Sequence, residues 1–519
     1  MRRWLALFLV CLCLPLPLSA LAEEAVLPAD AQEVQETQEE TSGRVNRALL
    51  VGCDLFMSQP STVPSSANNV EKMAATLMGG TLAPELVLTR PDGVGSLGDL
   101  AGLVLDAFDG ADADDVSIFY ISTHGLWQEG LGSSGMTLLL SDGMTEMEVT
   151  AVQLRTLFDQ IPGTKVLILD ACHAGAMIGK GVDEHLVNVF AGPEYVVICS
   201  SGGAEESWYW SGEIDGERLA GAGYFSGALV RAMSVEGGFC ADDNRDGVIT
   251  LTELKRCLLD THGASVVRTY PEESEFVLFT YDVAQYTGNR RDALVEGVSF
   301  ESDVLSPQEP TVVFHFNVVS SVQVAYQMVY HRNGRWDFDN AQLIYDNNGE
   351  FAEWAIPGRS LSPGMKQRAI TIDRAAAEDS GYVLMQMLTI QKGVPEVVCS
   401  RVLCVPPVTG DPLLAVDAPA AFCPDAFEEL NFIVRHDVPC EMTVTIIDAE
   451  GKTVRRLCSR QISRPELLDP AGTSFTWDGL DADGLRVPDG EYHIKVRVWV
   501  GEERYEIISD PVRVLMMVG

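Results

Sequence analysis

The chain has 519 residues, with 36 Lys and Arg against 75 Asp and Glu, a formal charge of −39 at neutral pH. So large an acid surplus excludes phosphate-backbone or anionic-membrane binding as the main business and favours cationic partners or divalent metal ions. The length suggests about three domains, and a composition 46% hydrophobic and 21% charged can bury several cores.

Arg2 and Arg3 precede an apolar run, Trp4 to Leu18, broken by Pro15 and Pro17, and Ala20-Leu21-Ala22 supplies small residues at a cleavage position. This is the pattern of a secretory signal peptide over residues 1–22. A membrane anchor suits it less, because the run is short and ends in a cleavage-like site. Removing it takes away two arginines and no acid, so the mature chain is more negative still. With no later apolar run of about 18 residues, a secreted soluble protein is expected. Residues 23–43 are acidic and have no apolar period, as in a linker or pro-segment. Ten cysteines follow the signal, too scattered for a disulfide scaffold. Proximity makes Cys240 with Cys257, and Cys423 with Cys440, candidate pairs.

Residues 44–288 read as the first domain. Ala48–Val51 is an expected strand, and Val70, Met73, Ala74 and Leu77 then recur at helical spacing. Glu85–Thr89 is a second strand, and Ser96 caps a helix whose Leu97, Leu100, Val104 and Phe108 share one face. Val116–Ser122, Lys165–Asp170 and Tyr195–Ser200 are nearly apolar throughout, as strands of a parallel sheet covered on both faces are. The fold class is therefore α/β, a doubly wound, mostly parallel sheet with helices on both faces. After residue 288 the rhythm changes to alternation, as at Val322, Val324, Tyr326, Met328 and Tyr330. Residues 289–407 read as a β-sandwich. Pro406 and Pro407 open a linker to a second β-sandwich over 408–519, which ends in alternating Ile494, Val496 and Val498.

Two strand ends carry chemistry. His124 and Gly125 follow one buried strand, and Cys172 follows the next strong one. In open α/β sheets, ligands bind outside the carboxyl ends of strands, so an imidazole and a thiol would face one crevice. A thiol needs a base to attack near neutral pH, and histidine is its usual partner. The amides of Gly125 and Cys172 suit an oxyanion hole. A His-Gly turn and a Cys after an apolar strand also occur as ordinary structure, and only their order and flanking blocks raise the catalytic reading above that.

The blocks Ser122-Thr123-His124-Gly125 and Asp170-Ala171-Cys172-His173-Ala174-Gly175, 48 residues apart from His124 to Cys172, resemble the caspase-like cysteine peptidases, among them caspases, metacaspases, clostripain, gingipains and legumain. Arg47–Gly52 resembles their first strand. Ser200-Ser201 with Glu205-Glu206-Ser207 resembles the strand and loop beside the substrate groove, and Gly223–Leu229 resembles a helix start of the family. The resemblance implies Cys172 as nucleophile, His124 as general base or acid, Gly125 in the oxyanion hole, and Ser200 and Ser201 near substrate. It also implies that Asp170, two residues before the nucleophile, selects Arg or Lys, where caspases carry Gln and select Asp. Asp170 as a solvated strand-end acid stays open. Relatives often cut themselves, which makes Lys180 and Arg218 candidate sites.

The run 242–253 fits a twelve-residue EF-hand-type loop: Asp242, Asn244, Asp246, the Val248 carbonyl, Thr250 and Glu253 as calcium ligands, with Gly247 at the turn. An Asx-rich loop capping a helix over Leu251–Leu259 is the other reading. Calcium is the one cofactor expected, with no organic cofactor. In the last domain, Phe475-Thr476-Trp477-Asp478-Gly479 with Asp489-Gly490 resembles the Ig-like domain of flagellar hook-capping proteins, which suggests support or cell-surface attachment. The sequence thus reads as a secreted bacterial endopeptidase acting on protein or peptide substrates, not nucleic acid and not membrane-spanning. Its rival is an inactive peptidase fold in a secreted calcium-stabilised adhesion or scaffold protein.

Overall fold

The structure, a computed structural model, describes residues 43–516 apart from 59–64, 129, 132–134, 183–185, 215–216, 287–293, 304, 306–308, 333–334, 354–358, 378–380, 392–393, 406–413, 437–439, 464–472 and 501–502. The signal peptide, residues 23–42 of the acidic segment and the Pro406-Pro407 linker lie outside the described residues.

The first domain runs β1 (Asn46–Gly52), α1 (Ser66–Met78), β2 (Leu86–Arg90), α2 (Leu97–Ala107), β3 (Val116–Ser122), β4 (His124–Trp127), β5 (Met136–Ser141), β6 (Glu146–Thr150), α3 (Ala151–Phe158), β7 (Thr164–Asp170), β8 (Tyr195–Cys199), β9 (Tyr209–Ile214), β10 (Glu217–Gly223), α4 (Tyr224–Ala232), β11 (Val248–Thr250), α5 (Leu251–Thr261), β12 (Arg268–Tyr270) and β13 (Val277–Thr280). Its sheet has the order β12-β8-β7-β3-β1-β2. Neighbours are parallel except β12, which runs antiparallel to β8 at one edge.

The nearly unbroken apolar runs have a direct cause. Successive side chains of a strand face opposite sides, and here each side has its own core. Leu49, Val51, Phe119, Ile121, Leu167 and Leu169 meet Leu100 and Val104 of α2 and Leu154 and Leu157 of α3. Ala48, Leu50, Ile118, Tyr120, Val166 and Ile168 meet α1, α4 and α5 through Val70, Met73, Phe225, Leu229, Leu254 and Leu258. Ser96 caps α2 as expected, accepting the Asp99 N–H.

The middle domain comprises β14 (Val295–Phe300), β15 (Thr311–Val318), β16 (Gln323–Arg332), β17 (Arg335–Trp336), β18 (Gln342–Asp346), β19 (Phe351–Ala352), β20 (Gly364–Thr371), β21 (Tyr382–Gln391) and β22 (Val394–Cys404). They form two antiparallel sheets, β14-β15-β20 and β19-β18-β16-β21-β22 with β17 paired to β16. A common core of Phe314, Phe316, Val324, Tyr326, Met385 and Leu403 lies between them. The last domain likewise faces a sheet of Leu414–Asp417, Leu430–His436 and Thr473–Trp477 with one centred on Cys440–Asp448 and Gly490–Val500, around Trp477, Val444 and Val496. Both are β-sandwiches. Among the described residues no helix is long and apolar enough to cross a membrane.

Lys180 overturns one expectation. It is 2% exposed, donates to the Thr269 carbonyl at 2.6 Å, and pairs with Glu272 at 2.7 Å and with Glu429 of the last domain at 2.9 Å. Burial alone would lower its pKa, but the two carboxylates reverse this and raise it. No peptidase reaches so deep a lysine without unfolding the chain, so Lys180 is not a processing site. Lys180→Met should cost about 3–5 kcal/mol, because two part-buried carboxylates lose their shared cation. An unchanged urea midpoint would contradict this.

Of the two cysteine pairs, the structure brings one together: the sulfurs of Cys240 and Cys257 are 2.9 Å apart. Cys440 does not meet Cys423. It begins the strand Cys440–Asp448, and its sulfur faces His436 Nδ1 at 3.8 Å.

Candidate active site

The groove opens at the carboxyl ends of β1, β3 and β7, where the strand order reverses between β1 and β3. It has a volume of about 570 Å³, and His124, Gly125, Asp170 and Cys172 all line it. β3 ends at Ser122 and β7 at Asp170, residues paired across the sheet. The two adjacent strands therefore deliver imidazole and thiol to one opening.

His124 begins β4, which leaves the main sheet to pair with β5. Its ring lies 4.5 Å from that of Phe56. Gly125 lies against the nucleophile's backbone: a Cβ there would stand 1.8 Å from the Cys172 carbonyl oxygen, so only glycine fits. The Cys172 thiol donates to the Ser207 carbonyl at 3.6 Å and accepts the Ser207 N–H at 3.3 Å. Burial pushes its pKa up to about 11, with Glu206 and Asp170 adding to the rise. Burial pushes His124 down, partly offset by Asp54 and Glu146. Both shifts favour the neutral forms, thiol and imidazole. His173 adopts a left-handed φ of 63°, and its Nδ1 binds the Gly203 carbonyl at 2.9 Å. It serves local structure.

Asp170 is not a solvated strand-end acid. It is 6% exposed and accepts from Ser207 Oγ at 2.9 Å and Ser226 Oγ at 2.5 Å. Burial raises its pKa against those hydrogen bonds. A Cβ on Gly223 would stand 3.0 Å from its Oδ2, so the missing side chain keeps the space beside Asp170 open.

Ser200 and Ser201 are placed differently from the expectation. Both are fully buried and turn back from the groove. Ser200 Oγ bonds the Ala171 N–H and carbonyl, each at 3.1 Å, and Ser201 Oγ donates to the same carbonyl at 3.0 Å. They brace the residue before the nucleophile instead of meeting substrate. Sequence reasoning missed Asp54, Asn69 and the aromatic rim of Phe56, Trp127, Trp208 and Tyr209. Asp54 accepts from the amides of Ser65, Ser66 and Ala67, and Asn69 Oδ1 accepts from the Gly223 N–H at 2.9 Å. Asp54 lies eleven residues before Ser65, the N-cap of α1, so no local sequence pattern marks it.

The loop at 242–253 has the turn of an EF-hand-type loop. Gly247 has φ +86°, and Asp242 accepts from the amides of Arg245, Asp246 and Gly247 and from Tyr281 OH. Its other carboxylates serve the loop itself. Asp246 takes the Val248 N–H and the Asn244 amide, and Glu253 closes a capping box with Thr250. Among the described residues no three His, Cys, Asp or Glu side chains stand close enough to hold a metal ion. These hydrogen bonds are those of the helix-capping alternative.

Residues 45–281 match the caspase domain family. They form a caspase-like domain. The fold is that of a cysteine peptidase. Residues 439–502 match the FlgD Ig-like domain. No curated protein matches the chain. Similar solved structures include a protein of Geobacter sulfurreducens (12% identity, 46% of this chain and 100% of that one, TM-score 0.32). Caspase-1 from Spodoptera frugiperda aligns at 13% identity over 46% of this chain and 90% of its own, with a TM-score of 0.29. Dimeric latent PorU from Porphyromonas gingivalis aligns at 14% identity over 42% and 20%, with a TM-score of 0.18. Outside the caspase-like domain lie the two β-sandwiches.

Proposed function

We propose that the chain is a secreted cysteine endopeptidase that cuts after Arg or Lys. The observation carrying this reading is the groove's composition. It joins Cys172 and His124 to three carboxylates, Asp54, Asp170 and Glu206, with no Lys or Arg among the described residues lining it. A site selecting an acidic side chain would need a cation there. Secretion rests on the N-terminal pattern alone, and surface attachment through the last domain on its Ig-like type.

His124 takes the thiol proton as Cys172 Sγ attacks the scissile carbonyl carbon. The amides of Gly125 and Cys172 receive the oxyanion. Collapse breaks the C–N bond, and the leaving amine takes the proton from His124. Water, deprotonated by His124, then attacks the thioester and restores the thiol. A cationic side chain beside Asp170 offsets one of the charges that hold the thiol pKa up. The correct substrate thereby eases its own attack.

The test is a panel of fluorogenic peptides ending in Arg, Lys, Asp or Asn. Cleavage after Arg or Lys is expected. The rival reading, an inactive caspase-like scaffold, draws on the raised thiol pKa, and failure to cut any peptide would favour it. Calcium belongs to the same proposal, through a loop in which Glu253 leaves its capping box. Millimolar CaCl2 should then raise Tm by several degrees in wild type and not in Glu253→Gln. Equal Tm values with calcium and chelator would remove calcium.

A further inference from the structure

The segment that holds the thiol is itself held from outside the caspase-like domain. Ser207 bonds Cys172, and the next three residues, Trp208, Tyr209 and Trp210, lead away from it. Trp208 and Tyr209 line the groove. Trp208 lies on Phe338 of the middle domain, with ring centroids 4.7 Å apart at 39°. Tyr224, whose N–H bonds the Trp208 carbonyl at 2.8 Å, lies 5.9 Å from the same ring. Trp210 is 2% exposed and donates Nε1 to Gln327 Oε1 of β16 at 2.7 Å. Gln327 is itself buried. In return, Trp336 Nε1 donates to the Ala264 carbonyl at 3.2 Å. Trp210 and Tyr224 share a single core with Ala325, Val329, Tyr382 and Leu384 of the middle domain.

We propose that the middle β domain sets one wall of the groove, with Phe338 and Gln327 as positioning residues for Trp208 and, through Ser207, for Cys172. The physical case is that residues 206–208 lie in no strand, and β9, which begins at Tyr209, pairs with β10 outside the main sheet. Their geometry therefore depends on what covers them. An aromatic clasp and a buried indole hydrogen bond are the covering contacts. This rests on the peptidase reading, so its test carries a readout that needs no peptidase activity.

In the full chain, Phe338→Ala should raise KM for an Arg peptide about 5-fold with kcat per titrated site within about 2-fold. Gln327→Leu, which strands the Trp210 N–H, should act in the same direction. Both should change the rate of Cys172 alkylation by iodoacetamide several-fold. Phe338→Tyr should restore wild-type values, and Met365→Ala, on the exposed part of the same domain, should leave them unchanged. A structural defect alone would lower the titrated site count and leave KM alone. Phe338→Leu keeps the apolar volume should the alanine variant not fold. Wild-type KM and alkylation rate in both clasp variants would overturn the proposal. If wild type cuts no peptide, the peptidase reading fails and the alkylation rate alone decides.

Discussion

Cys172→Ala is expected to lower kcat for Arg and Lys peptides by at least about 10⁴-fold, because the reaction loses the atom that attacks. Folding should survive, since the sulfur's hydrogen bonds go to one residue, Ser207. His124→Ala should fall nearly as far, the two acting as one unit. The pH profile follows from the resting charges. The thiol stands at about 11 and the imidazole below its ordinary value. Between these limits both groups are neutral. Activity with wild type should rise as pH climbs through the His124 pKa and stay level to about pH 8 or beyond. A broad bell, with an acid limb well below the ordinary imidazole pKa and an alkaline limb above it, would instead mean a preformed thiolate–imidazolium pair. Residual cleavage by Cys172→Ala above a few per cent would exclude Cys172 as nucleophile.

Asp170→Asn should lower kcat/KM for Arg and Lys peptides by about 10²-fold or more, the range for removing one partner of a buried charge pair. Ser207 and Ser226 can each rotate a hydroxyl to serve an amide, so the loss should be catalytic and not conformational. Two companion results separate specificity from damage. Asp peptides should gain nothing, because no cation is among the described residues lining the groove. Iodoacetamide should alkylate Cys172 faster at a given pH, because one charge holding the thiol pKa up is gone. Undiminished cleavage after Arg would remove Asp170 from specificity.

Much of the caspase-like domain is legible in sequence because its decisive features are local. Val116–Ser122 and Thr164–Asp170 are apolar on both faces, and the residue that ends each run marks the groove. What sequence hides is direction and distance. Ser200 and Ser201 sit where substrate-facing residues are expected, but a strand end does not say which way a hydroxyl turns, and these turn to Ala171. Lys180 reads as an accessible basic residue because its partners, Glu272 and Glu429, lie far along the chain. Trp208 and Phe338 meet across different domains, and no periodicity links them. The loop at 242–253 shows the converse: its spacing is that of a calcium site, while Thr250 and Glu253 also spell a capping box, and both readings use the same atoms.

The shared core around Trp210 and Tyr224 and the ion pair from Lys180 to Glu429 bear on how this protein can be taken apart. Trimming it to the caspase-like portion would lay bare indole and tyrosine rings and strip a buried ammonium of one counter-ion. Such a fragment would be sticky and short-lived in solution. The three domains are better handled and expressed as one unit than as a core with detachable accessories.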